Sequence, residues 1–368
     1  MTDIEVTTLT DACHSMLLRL AGRVPDGLLS QSRAWLAALE PERMAGAVAS
    51  HAAASRLMLA AEDAGLLGWI LTGAGMDAAV VARIPVQTGT DPAEGIVAHV
   101  FTPAAPVVMA ARGEDFGSCL DLTEGPLENV SADLADELDR AAVAAAAGLP
   151  GAAALWRTWR APSDGSPWPP PRRVFLLALN PQAEPFEAGA ALHVALAAHG
   201  EADPQVEAFA LDEDLPAYQR SARARSALLW TPGPGRPEPV RLAPVYDGVT
   251  GDGTPLFDLD RPRLTAPDCD PIAAALDGGS VLMSTTARLD DVLDPADGRG
   301  RVPAGFRTDG WWVWSEAVAY YLRAHGVAPV AALLGHLDRR RTEPPASPDA
   351  VALFRATAAL TRPPDRSL

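Results

Sequence analysis

The sequence predicts a mixed α/β and α+β protein with an N-terminal helical block, a central Rossmann-like βαβαβ unit, and a C-terminal α+β block carrying a Trp-rich hairpin and terminal helices. Three observations predict it. Apolar residues recur at helical spacing through the first sixty positions. Apolar runs of strand length alternate with helical stretches between 173 and 230. An Asp-Gly turn signal at Asp309-Gly310 then stands among aromatic residues, ahead of the last helical stretches. The domains implied are residues 1–125, 126–235 and 236–368. With 368 residues, 48% hydrophobic and 21% charged, the chain is of the globular class and long enough to bury cores without covalent staples.

In the first block, Leu17, Leu18 and Leu20, then Leu28, Leu29, Trp35 and Leu36, then Met44, Val48 and Leu57 mark apolar helix faces. Gly22, Pro25, Gly27 and Pro41 divide them into short helices. After Gly68 the pattern changes to apolar runs at 69–71, 84–86, 96–101 and 107–109, which fit strands and helix ends equally. Ser131 reads as the N-cap of a helix with Asp133, Asp136 and Glu137 in its early turns and Gly148 and Pro150 as its stop. Trp156 and Trp159 are read on a following turn, and 162–171 as a Pro-rich linker.

The stretch 173–230 reads as strand, helix, strand, helix, strand. The run 174–179 is continuously apolar, as in a strand covered on both faces. A helix over 185–199 closes at Gly200, Val206, Ala208 and Ala210 alternate as a second strand, Asp214 caps a helix through Arg225, and 227–230 is a third strand. A second linker follows at 231–239. Beyond it, 242–246 and 255–257 read as a hairpin, 281–284 as a strand, and 286–294 as a short helix. Helices over 315–325, 329–341 and from Asp349 to Arg362 complete the chain.

Composition excludes several chemistries. All 30 basic residues are Arg, so Schiff-base, P-loop and kinase chemistries that need Lys are absent. The net charge of −17 argues against nucleic acid and anionic membranes as partners, since both need a basic face, and leaves a protein partner of basic character. Cys13, Cys119 and Cys269 are widely spaced and read as buried free thiols of a cytoplasmic protein. No positive leader segment and no membrane-length apolar run is seen.

Motifs are few. Gly73-Ala-Gly75-Met-Asp-Ala78 matches a dinucleotide fingerprint in outline but lacks the crossover helix, and reads as a turn. Asp212, Glu213 and Asp214 at a strand end read as a solvated loop, or alternatively as oxygen ligands for a divalent cation. Asp290, Asp291 and Asp294 read as solvated turns. His199 and His325, each before a helix-stopping Gly, read as C-terminal caps. No His, Cys or Ser pattern marks a catalytic residue, and no cofactor is expected. In the segment 306–316, a two-residue type I′ turn at Asp309-Gly310 would pair Thr308 with Trp311 and set Arg307 opposite Trp312. A guanidinium over that indole would contribute about 0.5–2 kcal/mol. Trp312 and Trp314 would share one face, leaving Trp311 on the other. Arg307, Asp309 and Trp311 are therefore the candidate recognition residues.

The string Phe306-Arg-Thr-Asp-Gly-x-Trp312-Val-Trp314-x-x-Ala317-x-x-Tyr320-Tyr321-Leu322-x-x-His325-Gly326 resembles a module that recurs in actinobacterial proteins near polymorphic-toxin and type VII secretion loci, over about residues 240–341. Some members of that group are thought to be immunity proteins. The resemblance implies a non-enzymatic interaction protein, an immunity or accessory factor, and no catalytic residues. Two alternatives stand beside it. One is a hydrolase or metal-assisted transferase using Asp212, Glu213 or Asp214, with its site between the α/β unit and the C-terminal block. The other is an assembly or filament subunit.

Overall fold

Among the described residues the longest strand, Ala152–Pro162, lies where the sequence suggests a turn. The structure, a computed structural model, describes residues 3–87, 98–166, 168–233, 238–340 and 347–363. Two units are formed, Met1–Arg236 and Pro237–Leu368. In chain order the first contains α1 (Asp3–Leu20), α2 (Asp26–Ala37), α3 (Pro41–Ser55), β1 (Leu59–Ala60), α4 (Ala61–Gly73), β2 (Val86–Gln87), β3 (His99–Thr102), α5 (Pro106–Arg112), β4 (Leu120–Asp121) and α6 (Glu137–Ala147). It continues with β5 (Ala152–Pro162), β6 (Arg172–Leu179), α7 (Pro185–Ala198), β7 (Gln205–Ala210), α8 (Ala217–Ala224) and β8 (Ala227–Trp230).

The main sheet of this unit has the order β4-β8-β5-β6-β7, with β3 pairing the far end of β5. Of the expected βαβαβ unit only the first crossover is present: β6 and β7 are parallel and joined through α7. The chain then returns through α8 to β8, on the other side of β5 and antiparallel to it. β5 is itself antiparallel to β6 and takes the place beside β6 that a third parallel strand would need. Ala154, Leu155 and Trp156 on β5 are fully buried, so the strand has no polar alternation, and its Ala-rich start has helical rather than strand propensity. The Pro-rich stretch 162–171 is accordingly the loop between two paired strands, with residue 167 outside the described residues. Phe175, Leu177, Leu179, Leu192, Leu196 and Val206 form the centre of a core that α6 and α7 complete.

Other boundaries differ for identifiable reasons. α6 starts at Glu137, not near Ser131, because Asp136 and Asp139 form a reciprocal capping box. Asp214 does not cap α8; Pro216 precedes that helix. The run 69–71 lies inside α4 and 107–109 inside α5, whereas the run expected from Ile96 begins outside the described residues. At the fingerprint-like segment the chain turns, with Gly75 at φ +70° and Asp77 accepting from the Ala79 amide.

The second unit contains β9 (Arg241–Ala243), β10 (Gly248–Val249), β11 (Pro255–Leu256), α9 (Ala266–Asp277), β12 (Ser280–Met283), β13 (Arg288–Leu289), β14 (Val302–Pro303), β15 (Phe306–Thr308) and β16 (Trp312–Ser315). The helices α10 (Glu316–His325), α11 (Ala331–Arg340) and α12 (Ala350–Thr361) follow. Its four-stranded sheet runs β12-β15-β16-β9, and only the β16–β9 pair is parallel. The expected 242–246 strand is thus split: Leu242 and Ala243 join this sheet, and the hairpin begins later, at β10. No helix forms over 286–294. β13 pairs with β14, and the aspartates there bind loop amides, Asp291 that of Leu293 and Asp290 that of Gly300. Trp312 and Trp314 pack against Ile272 and Leu276 of α9, Val318 and Leu322 of α10, and Leu333 and Leu337 of α11. Residues 234–237 of the expected second linker, and Arg341 at the end of the expected 329–341 helix, lie outside the described residues. Among the described residues no helix is long and apolar enough to cross a membrane.

Candidate functional site

The β15–β16 hairpin forms, but with a different register from the one its Asp-Gly pair suggests. Thr308 pairs with Val313 and Arg307 with Trp314, which leaves residues 309–311 between the two strands. Side chains fix this wider turn. Asp309 Oδ1 accepts from the amides of Trp311 at 3.1 Å and Trp312 at 2.9 Å. Thr308 Oγ1 accepts from the Gly310 amide at 2.9 Å and donates to the Trp312 carbonyl at 2.7 Å. Gly310, at φ +92°, supplies the left-handed residue such a loop needs. Trp312 and Trp314 share the inward face as expected, but the expected stack of Arg307 on Trp312 is absent. Arg241, opposite Trp312 on β9, sits 5.7 Å from its ring instead, and Arg340 lies 4.2 Å from the ring of Trp311.

The three candidate recognition residues therefore separate. Asp309 and Trp311 stay together. Asp309 Oδ2 is 2.5 Å from His336 Nε2 and 3.9 Å from Arg340 Nε. Trp311 is 47% exposed, with Arg340 over its ring and His336 6.4 Å away. Arg307 lies apart, held by Glu316 at 3.0 Å and by the carbonyls of Asp277 and Gly279 at the end of α9. His336 and Arg340, absent from the sequence-derived set, are four apart on α11 and so project from one side of it. That spacing is the signal that could have paired them with the hairpin.

The remaining residues of the 306–326 string support the scaffold. Asp291, 2% exposed, accepts from Tyr320 Oη at 2.9 Å and lies 2.6 Å from His325 Nε2. Burial pushes its carboxyl up, but these two partners and the Leu293 amide bring it below the ordinary carboxylate range. Asp291 is thus a buried tie, not a solvated turn residue; His325, in the last turn of α10, meets it through Nε2, and His199 bonds its own helix, to the Ala195 carbonyl at 2.9 Å. Tyr321 packs on Phe257 and Tyr246, and its phenol is pushed up by burial. Ser315 caps α10, and Gly326 ends it at φ +67°, where a Cβ would lie 2.6 Å from the Leu264 carbonyl oxygen.

The acidic trio after β7 does not converge. Glu213 Oε2 turns back to accept from the Ala210 amide at 3.2 Å, its carboxyl raised by burial and by Asp212. Asp214 is fully exposed, 3.9 Å from Arg220. Among the described residues no group of three or more His, Cys, Asp or Glu is arranged to hold a metal ion, so Asp212, Glu213 and Asp214 lack the geometry of a cation site.

A second locus was invisible in the sequence. A cleft of about 300 Å³ lies in the first unit, lined from α1, α2, α7 and the edge strand β7. The outward carbonyls of that edge are taken by side chains. His193 Nδ1 is 3.0 Å from the Pro204 oxygen, Arg33 Nη1 donates to Val206 at 2.7 Å, and His14 Nε2 donates to Ala208 at 2.9 Å. Such pairing blocks strand addition at an edge. Arg33 also meets the buried Glu207 at 2.6 Å, and Gln219 donates to the same carboxylate at 2.8 Å. His14 is 7% exposed, and burial together with the charge of Arg33 lowers its imidazole to about 4. No family model, curated protein or solved structure matches this chain.

Proposed function

We propose that the protein acts by gripping another protein, as a cytoplasmic immunity or accessory factor of a bacterial toxin or secretion system, with Trp311 at the centre of the gripping surface. One observation carries this reading: a Trp 47% open to solvent, with an Arg guanidinium 4.2 Å from its ring. Trp and Arg are the residues that most often dominate binding energy in protein interfaces. The amide bonds of Asp309 and its contact with His336 hold the Trp311 backbone in place, so little order is lost when a partner docks. The resemblance of 306–326 to the toxin-associated module supplies the class of partner. The net charge of −17 favours a partner of basic character over nucleic acid or an anionic membrane.

The test is affinity capture with the purified chain, followed by titration of the captured protein against the wild type and Trp311→Ala. A hot-spot role predicts at least about a tenfold weaker Kd for the variant. Its near-ultraviolet circular dichroism should keep the wild-type form, since Trp312 and Trp314, not Trp311, belong to the core. Failure to capture a partner, or equal affinity for the two proteins, overturns the proposal.

A further inference from the structure

We propose that the cleft between α2, α7 and β7 is a binding site for a small, neutral, apolar molecule the size of a bicyclic hydrocarbon, held by packing contact and not by a hydrogen bond. The first argument is size. The cleft measures about 300 Å³, at the lower end of small-molecule sites. An apolar cavity of about 150 Å³ suffices for benzene, so this one suits a body of about nine or ten carbon atoms.

The second argument is the build of the walls. Ala34 and Ala37 on α2 and Gly189 and Ala190 on α7 line the cleft, so the two helices flank it with side chains too short to fill it. At Gly189 a Cβ would meet that of Ala208 at 3.0 Å, so glycine there lets α7 lie close against β7. The ring of Phe186 adds to the apolar lining, and Val194, 67% exposed, opens it to solvent. Protein interiors pack like organic crystals, and an apolar body between these helices makes the dispersion contacts that such short side chains cannot.

The third argument is what the polar groups refuse. The outward carbonyls of Pro204, Val206 and Ala208 are bonded by His193, Arg33 and His14, so a peptide strand finds no free acceptor along this edge. Arg33 is also held by the Glu207 carboxylate, which is 1% exposed, and an anionic ligand would have to draw the guanidinium away from it. No Asp or Glu lines the cleft to meet a cation. A charge of either sign would therefore lose its water without gaining a partner, a cost that an apolar molecule does not incur.

Chemical-shift titration of the isotope-labelled full chain at pH 7 with indane, and with its 2-carboxylate and 2-ammonium derivatives, tests the assignment. Indane should bind saturably at sub-millimolar Kd and shift amides of α2, α7 and β7. The charged derivatives carry the same ring body and should bind at least about tenfold more weakly. Ala190→Leu and Ala37→Leu fill the cleft from opposite walls, and each should abolish indane binding while leaving amide signals of the second unit unchanged. Lack of a saturable indane shift, equal or tighter binding of either charged derivative, or indane binding that survives both substitutions each overturns the inference. The comparison of the three probes on the wild type decides even where a variant does not fold, and none of these readings depends on Trp311.

Discussion

The larger sheet carries its polar groups inside, whereas the smaller one carries them at its turns. Arg157, Thr158 and Arg160 on β5 are at most 7% exposed, as are Glu207 on β7 and Asp139 on α6. Their partners come from distant chain: Arg157 donates to the carbonyls of Pro103 and Leu134, and Arg160 to Asp26 at 2.5 Å and to Tyr218 at 3.1 Å. In the smaller sheet Thr308, Asp309 and Ser315 bond backbone groups no more than four residues away. The difference teaches where each unit is vulnerable. The first should respond to charge removal and acid, the second to loss of a single cap.

The largest effect is expected at Arg157, 3.8 Å from Asp139 in a cluster that also holds Arg173 and Asp136. Arg157→Ala leaves Asp139 buried with one cation instead of two and frees two buried carbonyls. Breaking a buried pair from one side costs about 3–5 kcal/mol. Urea unfolding followed by hydrogen exchange at β5 amides measures it, and a loss under 1 kcal/mol would mean that the cluster is not what holds this end of the sheet.

The contrast between the units also explains how much was legible in the sequence. Ser315, Gly326 and the Asp309-Gly310 turn announce themselves because each acts on neighbours in the chain. The register of the hairpin did not follow, since the Thr308 and Asp309 side chains select a wider loop than the Asp-Gly pair alone prefers. β5 was hidden because a strand buried on both faces has no alternation to read. The start of α6 is not legible at Ser131 because Asp136 also binds Arg173, 37 residues on, through the same carboxylate. At the cleft His14 and Ala208 are 194 residues apart, and no pattern within a window joins them. Trp311 was legible as a candidate from the hairpin, but Arg340 and His336 were not, and Arg307 proved to belong to another contact.

Acid should act next, and mainly on the first unit. His14 has its imidazole lowered from 6.5 to about 4 in the fold, so below pH 6.5 the unfolded chain takes up a proton that the folded chain refuses. Stability from this group is full above about pH 6.5 and falls as the pH drops towards 4, by on the order of 3 kcal/mol. Asp136 adds a second decline. Burial raises its carboxyl, but Arg173, the Asp139 amide and Arg157 lower it from 3.8 to about 2, so its contribution is present above 3.8 and is lost as the pH falls to 2. Denaturant midpoints from pH 7 to pH 3 should show the upper decline in the wild type and a flatter profile in His14→Phe. An unchanged slope in that variant would remove His14 as its cause.

The smallest effect sharpens the comparison most, because it sets one N-cap against another. Ser315 accepts from the Ala317 amide at 3.2 Å and starts α10; Asp136 accepts from the Asp139 amide at 3.1 Å and starts α6. As caps alone, each contributes about 1 kcal/mol. Asp136 also binds Arg173, at 2.5 Å, whereas Ser315 carries no charge. Ser315→Ala should therefore lower stability by about 1 kcal/mol, equally at 50 mM and 500 mM salt. Asp136→Ala should lower it further, by an amount that shrinks as salt rises, since the carboxylate is partly open to solvent. Equal losses at both salt concentrations for the two variants would mean that the Arg173 pair adds nothing to the cap, and that the two units differ less than their buried charges suggest.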